Sequence, residues 1–298
     1  MQRREFLINT AALATSAAAV GFNAKAATVQ PPMIKKSLKF DMVKESLSIM
    51  DKFKLLKDLG FDGVELDAPS DLNQKEVLAA RDKTGLEIPG VVNSVHWKSP
   101  LTDADPKVRA TCAKAMDTAL QDCKAYRGTT VLLVPGVVNE KISYPQAYER
   151  AQVEIKKMIP MAEKTGVKIA LENVWNNFLI SPVEAARFVD EINHPLVGWY
   201  FDVGNILRYG WPEHWIEALG KRIMKLDIKE YSRKKMLNEG LWKGFDVELM
   251  EGDCNWPEVN KALTKIGYSG WASAEVPGGD RKRLQVISER MDAIFKAI

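Results

Sequence analysis

A short apolar run followed by an amphipathic helical stretch recurs eight times after residue 33, and this alternation constrains the fold more than any other feature. The first unit is "SLKFDMV" (37–43) before "IMDKFKLLKDLG" (49–60), and the last is "GWASAEV" (270–276) before a closing helical stretch. Apolar runs of this length fit buried parallel strands, and the amphipathic stretches fit the helices that connect them. Eight strand–helix units predict a single-domain (β/α)8 TIM barrel.

Helix start and stop signals agree with this division. Pro opens several of the predicted helices and Gly follows several others, as is typical of helix N- and C-termini. The prolines are Pro106, Pro182, Pro212 and Pro257, and the glycines are Gly60, Gly85, Gly128 and Gly166. A doubly wound open sheet is the alternative, but no glycine-rich phosphate loop follows the first strand.

The first 26 residues have the pattern of a targeting segment. Twin arginines, Arg3 and Arg4, precede the apolar, Ala-rich run 8–22, and Ala24-Lys25-Ala26 forms an A-x-A cleavage pattern. The segment resembles a twin-arginine export signal, which implies transport of the folded protein to the periplasm and leaves 34–298 for the barrel. An amphipathic N-terminal helix or a short anchor is the alternative. The run is too short and Ala-rich for a membrane span, so we expect no stable membrane anchoring.

Composition narrows the classes of protein further. A chain of 298 residues with 46% hydrophobic residues can bury one large core, and basic and acidic residues are interleaved at a net charge of +3. Without a basic stripe, nucleic acid is not an expected partner. The three cysteines are an odd number, and Cys112 and Cys123 lie about 16 Å apart along one predicted helix. We therefore expect buried free thiols and no disulfide framework.

Polar residues follow the predicted strands at the barrel end where TIM-barrel chemistry takes place. They are Glu65 on strand two, His96 on strand three, Glu172 on strand five, Asp202 on strand six, Asp227 on strand seven and Glu275 on strand eight. Four consecutive strands each deliver one carboxylate to the same rim, which is costly unless a cation neutralises them. Oxygen-only ligands favour Mn²⁺ or Mg²⁺ over Zn²⁺. The alternative is that these carboxylates pair with Lys or Arg, or cap the following helices.

The second half of the chain contains motifs that resemble a known family. They are "LEN" (171–173), "FDVGN" (201–205), "LDIKEYSR" (226–233) and "EGDCNWPEVNKALTKIGYSGWASAEV" (251–276). The chain is similar to the xylose isomerase-like TIM barrel superfamily, the sugar phosphate isomerase/epimerase family. The resemblance implies that Glu172, Asp202, Asp227 and Glu275 bind a divalent metal and that Glu172 and Glu275 form the acid/base pair.

The resemblance also implies substrate contacts, with departures. Arg233 matches a substrate-binding arginine, whereas Asp227 and Asn205 stand where the 3-epimerases have histidines and Phe178 stands where they have a glutamate. Asn205 remains a predicted substrate contact. His96, Glu65 and Trp175 join it because of their places at strand ends, although a structural histidine, an ion pair and core packing explain these three nearly as well.

The implied reaction is that of a metal-dependent sugar isomerase or epimerase, which abstracts a proton next to a carbonyl and proceeds through an enediolate. The alternative is a 3-keto-glycoside lyase or hydrolase that starts with the same proton abstraction. A non-catalytic sugar-binding protein is a third class. The His-rich zinc endonucleases of the superfamily fit poorly, because the chain has three histidines. We expect a small-molecule carbohydrate substrate and leave a homo-oligomer open.

The irregular segment 232–255, between strand seven and its helix, is the longest in the predicted fold. A segment of this length at the mouth of a barrel is typical of a substrate-covering element.

Overall fold

The computed structural model describes residues 33–296, and within this range eight parallel strands alternate with helices. The strands are β1 (Ile34–Leu38), β2 (Leu66–Ala68), β3 (Gly90–Asn93), β4 (Thr130–Leu133), β5 (Lys168–Glu172), β6 (Val197–Asp202), β7 (Ile223–Ile228) and β8 (Gly270–Ala274). The helices are α1 (Ile49–Asp58), α2 (Gln74–Thr84), α3 (Pro106–Ala125), α4 (Tyr144–Thr165), α5 (Pro182–Ile192), α6 (Val203–Ile206), α7 (Pro212–Leu219), α8 (Arg233–Glu239), α9 (Trp256–Ile266) and α10 (Arg281–Phe295).

The strands form one sheet in the order β1-β8-β7-β6-β5-β4-β3-β2, and residue 65 closes it. Just before β2, Glu65 N donates to Leu38 O at 2.9 Å, and Phe40 N donates to Glu65 O at 2.9 Å. These bonds join the first and last strands of the sheet order. The (β/α)8 TIM barrel prediction is confirmed.

The first strand lies three residues earlier than its apolar run predicts. β1 pairs with β8 from Ile34 opposite Gly270 to Leu38 opposite Ala274, and a 3-10 turn follows at Phe40–Met42. Lys36 interrupts the apolar pattern of this strand in the sequence. In the structure Lys36 is buried, and its ammonium donates to Ser288 Oγ at 2.8 Å. A buried lysine with its own acceptor can occupy a strand position that normally holds an apolar residue.

Strand β6 explains the apolar run that precedes Asp202. All six of its residues are buried, and successive side chains point to opposite faces. Trp199 and Phe201 pack among the side chains between sheet and helices, whereas Tyr200 packs inside the barrel against Leu132 and Ala170. Asp202 continues the inward face and therefore enters the barrel mouth.

Helix ends mostly follow their signals. Gly85 and Gly166 adopt the left-handed conformation at the ends of α2 and α4. At the end of α3 the left-handed residue is Arg127, with φ 62°, rather than Gly128. Gly128 meets a different demand, because a Cβ there would lie 2.7 Å from Cys123 Sγ.

The three cysteines are free thiols, as predicted. Cys112 and Cys123 are buried, and Cys254 is partly exposed. Within residues 33–296 no helix combines the length and the hydropathy needed to cross a bilayer. The predicted export signal, 1–26, lies outside the described residues.

The segment 232–255 is more regular than the sequence suggests. It contains α8 and a 3-10 helix, Leu241–Phe245, and its end is tied to the barrel by Glu230. The buried Glu230 carboxylate accepts hydrogen bonds from Tyr231 N, Met250 N, Cys254 N and Trp256 Nε1 at 2.9 to 3.2 Å. One carboxylate after β7 thus fixes the path of the chain over the barrel mouth.

We expect Glu230→Ala to lower the free energy of unfolding by about 3 kcal/mol, because four donors lose their acceptor in a buried place. Urea denaturation measures this loss. As a control, Glu251→Ala removes an exposed partner of Arg290 and should cost less than about 0.5 kcal/mol. Equal effects of the two variants would contradict the anchoring role of Glu230.

Candidate active site

The ends of β5, β6, β7 and β8 place four carboxylates around one point. Glu172 and Asp202 are the last residues of β5 and β6, Asp227 lies in β7, and Glu275 directly follows β8. One oxygen from each of the four lies within 4.8 Å of the others. The structure therefore brings together the four residues that the sequence singles out as metal ligands.

Asp202 is held by the start of the next helix. Its Oδ1 accepts Asn205 N at 2.7 Å, so Asp202 caps the single turn α6. Gly204 allows this turn to approach β7, because a Cβ there would lie 2.6 Å from Lys229 Cβ. Gly204 and Asn205 thus fix the direction in which Asp202 points, leaving Oδ2 to face the cluster.

The cluster suits a divalent cation, because all four of its ligand groups are carboxylates and their oxygens are close together. Asp202 Oδ2, Asp227 Oδ1 and Glu275 Oε2 are buried and accept no hydrogen bond from the described residues. Mg²⁺ binds oxygen at about 2.1 Å, so opposite ligand oxygens lie about 4.2 Å apart, and a small contraction of the cluster reaches this spacing. Buried carboxylates without donors commonly coordinate a metal. The residues present could hold one hard ion.

Two lysines reach the same carboxylates. Lys229 Nζ lies 2.9 Å from Asp202 Oδ2 and 2.7 Å from Glu275 Oε2, and Lys39 Nζ lies 2.9 Å from Asp227 Oδ1. At these distances the two ammonium groups form close ion pairs with the three buried oxygens. The two lysines thus neutralise part of the negative charge of the carboxylate cluster.

The pKa values of the cluster are unequal. Burial, and then the neighbouring carboxylates, raise the pKa of Glu172 well above its usual range. Burial raises the pKa of Asp202 to about 6, although Lys229 opposes it. Burial also raises the pKa of Asp227, whereas Lys229 and then Lys39 outweigh burial and lower the pKa of Glu275. Two carboxyl groups on opposite sides of the cluster, Glu172 and Glu275, thus differ strongly in proton affinity.

Glu65 belongs to a buried network of charges below the cluster. Its carboxylate accepts Lys225 Nζ at 2.7 Å, Lys39 Nζ at 2.8 Å and Tyr200 Oη at 2.8 Å. Burial opposes its ionisation, but Lys225 and Lys39 lower the pKa of Glu65. Gly90 leaves room for this network, because a Cβ there would lie 2.5 Å from Lys225 Nζ. The structure places Glu65 at the cavity wall with its oxygens already occupied.

A cavity of about 520 Å³ opens above the cluster. Six of the predicted site residues line it, namely Glu65, His96, Glu172, Trp175, Asn205 and Glu275. His96 lies three residues after β3 rather than on it, and its Nδ1 accepts Val134 N at 3.3 Å. Burial lowers the pKa of His96 to about 4, so the ring is neutral at pH 7.

An aromatic wall forms one side of this cavity. Trp175 donates from Nε1 to Asn205 O at 2.9 Å and packs with its ring centroid 4.8 Å from those of Trp242 and Phe245. Trp242 and Phe245 come from the segment 232–255, so this segment does cover the barrel mouth. The side of Trp242 that is not packed is exposed, which suits stacking on a sugar ring.

The structure does not bring Arg233 to the cavity. Its guanidinium donates to Leu207 O and Gly210 O and lies over the ring of Trp211, 5.2 Å from the centroid. Phe178, where the resembling epimerases have a glutamate, is buried against Tyr144 and Phe188 outside the cavity. The part of the site that depends on these two positions therefore differs from the pattern implied by the resemblance.

Sequence reasoning missed Lys229 and Lys39. Lys229 lies two residues after Asp227, and residues two apart on a strand share a face, so this spacing could have placed it in the barrel mouth. Lys39 directly follows β1 at the same end of the barrel. Neither lysine stands out by residue type, because lysine side chains are mostly solvated.

Comparison with known proteins identifies the family. Residues 53–297 match the family model of the xylose isomerase-like TIM barrel. This chain belongs to that family. The match spans α1 to α10 and includes every predicted site residue.

Xylose isomerase-like relatives with curated functions are sugar epimerases. The chain is 25% identical over 237 residues to L-ribulose-5-phosphate 3-epimerase UlaE of Salmonella paratyphi A, covering 74% of this chain and 79% of that protein. It is also 25% identical over 154 residues to 2-epi-5-epi-valiolone 7-phosphate 2-epimerase of an Actinoplanes species, covering 52% and 53%. The relatives support an enzyme of the sugar isomerase and epimerase type.

Solved structures share the fold over nearly the whole described chain. A D-tagatose 3-epimerase-like protein superimposes with a TM-score of 0.73 at 22% identity, covering 88% of this chain and 97% of that one. The 3-keto-D-glucoside 4-epimerase YcjR from E. coli gives a TM-score of 0.72 at 15% identity, covering 88% and 99%. At these identities the similarity establishes the barrel architecture.

The buried His96 should make the stability of the metal-free protein depend on pH. Its pKa is about 4 when folded and 6.5 in the reference state, so between these values the unfolded chain binds more protons. Stability attributable to His96 is therefore full above pH 7 and falls as the pH drops, by about 2 kcal/mol at pH 5. His96→Asn retains an acceptor for Val134 N without titrating. The difference between wild type and variant in urea unfolding at pH 7 and pH 5 measures the effect, and a pH-independent difference would contradict it.

The role of Glu65 can be tested with Lys225 as its partner. We expect Lys225→Met to destabilise the fold by about 3 kcal/mol, since it leaves a buried carboxylate short of one cation. The double variant with Glu65→Gln should be less destabilised than the sum of the two single variants, with a coupling of about 2 kcal/mol. A coupling near zero would show that Glu65 is not tied up in the ion pair and would favour a substrate contact instead.

Proposed function

We propose that this chain is a divalent-metal-dependent sugar epimerase or isomerase that abstracts a proton next to a carbonyl and proceeds through an enediolate. The observation that carries the proposal is the convergence of four strand-end carboxylates, whose oxygens lie within 4.8 Å of one another. The family and its epimerase relatives support the same reaction class.

The metal would be held by Glu172, Asp202, Asp227 and Glu275. All four donors are carboxylates, so Mn²⁺ or Mg²⁺ is the ion that we propose. When bound, such an ion polarises the sugar carbonyl and lowers the free energy of the negative charge that develops as the neighbouring proton leaves.

Glu172 and Glu275 are the proposed acid/base pair. Both line the cavity, and they stand on β5 and after β8, on opposite sides of β6 and β7. Each carboxylate would therefore reach the substrate from its own side, one to remove a proton and the other to return it. Proton removal on one face of the substrate and return on the other would invert a stereocentre.

The remaining cavity residues would bind and orient the sugar. The neutral ring of His96 and the side chain of Asn205 offer polar atoms at the cavity wall, and Trp175 with Trp242 offers aromatic faces. Together they suit a ring or chain bearing hydroxyl groups.

We further propose that the substrate is unphosphorylated, unlike the sugar phosphates named for the two curated relatives. Of the described residues, five carboxyl groups and two lysines line the cavity, and no arginine does. Even with a divalent ion the acidic groups predominate once Asp202 and Asp227 behind the wall are included, so a phosphate dianion would be repelled. The Gly278-Gly279 pair offers no phosphate cradle, since Gly279 N already donates to Met42 O at 2.9 Å.

Export through the twin-arginine route stays a proposal that rests on the pattern of Arg3, Arg4 and the A-x-A site. It is consistent with an unphosphorylated substrate, because sugar phosphates are largely cytoplasmic metabolites.

The test is solvent deuterium incorporation by protein stripped with a chelator and reloaded with Mn²⁺ or Mg²⁺. The substrates are free ketoses, their phosphate esters and 3-keto-glycosides. Deuterium incorporation into each is followed by NMR. We expect metal-dependent exchange next to the carbonyl of a neutral sugar, with kcat/KM at least about 100-fold above that of its phosphate ester. Glu172→Gln and Glu275→Gln should each lower the exchange rate by about 10³-fold.

A matched control is Glu258→Gln, which removes a surface carboxylate paired with Lys261 and should leave exchange unchanged. Exchange that survives full removal of metal would overturn the metal-dependent mechanism. Release of an aglycone from the 3-keto-glycoside would instead identify the lyase, and sugar binding without exchange would identify a binding protein.

A further inference from the structure

We propose that Lys229 leaves the carboxylate cluster when the divalent ion binds and then holds a substrate oxygen with its ammonium group. The inference rests on the proposed function, because it assumes that the cluster binds a metal and that a sugar reacts above it.

The first argument is that Lys229 occupies space that a metal needs. Its Nζ contacts Asp202 Oδ2 at 2.9 Å and Glu275 Oε2 at 2.7 Å, and both oxygens belong to the proposed ligand set. Both oxygens are buried, so the ammonium is close to them with little room for a second cation. An ammonium at this distance would repel a divalent cation on the same oxygens, so the two positive charges exclude each other.

The second argument is where the ammonium can go. The hydrogen bond that Lys229 Nζ makes in the described part of the chain goes to Asn205 Oδ1 at 3.4 Å, and the ring of Phe245 lies 5.5 Å away. Asn205 and Phe245 both line the cavity above the cluster. An amide oxygen and an aromatic face are favourable resting places for an ammonium, and both direct it toward the substrate.

The third argument is that the backbone stays in place. Gly204 packs so closely on residue 229 that a Cβ at position 204 would lie 2.8 Å from the carbonyl carbon of Lys229. Movement is therefore confined to the torsions of the unbranched side chain beyond Cβ, which change without disturbing β7. The cost of the move is small because no other buried partner is abandoned.

Two other cations, Lys39 and Arg233, are held elsewhere. Lys39 is held by hydrogen bonds to Glu65 at 2.8 Å and Asp227 at 3.1 Å. Arg233, the cation that the sequence suggested for the substrate, is bonded to two backbone carbonyls outside the cavity. Of the two lysines that line the cavity in the described chain, Lys229 is the one whose carboxylate partners are both proposed metal ligands.

Two variants and two measurements test the inference. Lys229→Met keeps an unbranched side chain, one atom shorter, without the charge, and Lys229→Gln is a second uncharged variant in case the first fails to fold. Lys261→Met, which removes an exposed lysine paired with Glu258, is the control. The dissociation constant for Mn²⁺ is measured by isothermal titration calorimetry, and kcat/KM is measured at saturating Mn²⁺ with the neutral substrate found in the exchange assay.

We expect the uncharged variants to bind Mn²⁺ roughly tenfold more tightly, because a competing cation is gone. Despite tighter metal binding, kcat/KM should fall roughly 100-fold, because a charge that stabilises the substrate oxyanion is lost. Lys261→Met should match wild type in both measurements.

Mn²⁺ binding that is unchanged or weaker would overturn the inference, because Lys229 would then not compete with the metal. Wild-type kcat/KM in the variants would overturn it too, because Lys229 would then not contact the substrate. In both cases wild-type protein still binds Mn²⁺ and catalyses exchange, so the proposed function stands. Wild-type protein that binds no Mn²⁺ overturns both proposals together.

Discussion

The site depends on the repulsion among acidic groups that are gathered at the barrel mouth and largely buried there. Four parallel strands end at one rim, and each places a carboxylate there. In water these charges would be screened, but inside the barrel each raises the cost of ionising the others. Two lysines reduce that cost in the structure, against four carboxylates, so further positive charge is favourable at the same place.

The arrangement separates charge into two layers. The lower layer joins Glu65 to Lys225 and Lys39, which leaves its carboxylate fully bonded. The upper layer holds the proposed metal ligands, with Lys39 contacting both layers. Because the lower layer is satisfied and rigid, it supports Asp227 from beneath, while the upper layer keeps oxygens that face the cavity. This division explains why Glu65 and Asp227, which both bond to Lys39, have different roles.

The barrel fold and the four carboxylates could be predicted from the sequence, because the strand ends of a TIM barrel lie together regardless of how the loops run. Asp202 was placed correctly because the buried strand before it is unmistakable, and Glu172 and Glu275 followed from the same rule. The features that the sequence misplaces, namely the start of β1, His96 and Arg233, depend on local contacts that residue patterns do not show. Lysines inside β1 hid the first strand, and His96 lies in a turn whose path sequence patterns do not fix. The orientation of Arg233 depends on carbonyls of residues 207 and 210, which are distant in sequence and close in space.

Residue 65 has a consequence for how the barrel can be cut. Its main chain bridges Leu38 and Phe40, and its side chain receives Lys39 and Lys225. The barrel is thus closed at the same residue that binds the two buried lysines below the carboxylate cluster. A circular permutant with new termini between residues 40 and 64 would keep the main-chain bonds of residue 65 and its ion pair with Lys39. A fragment that lacks β1 and Lys39 would lose the barrel closure and one of the two lysines that neutralise Glu65.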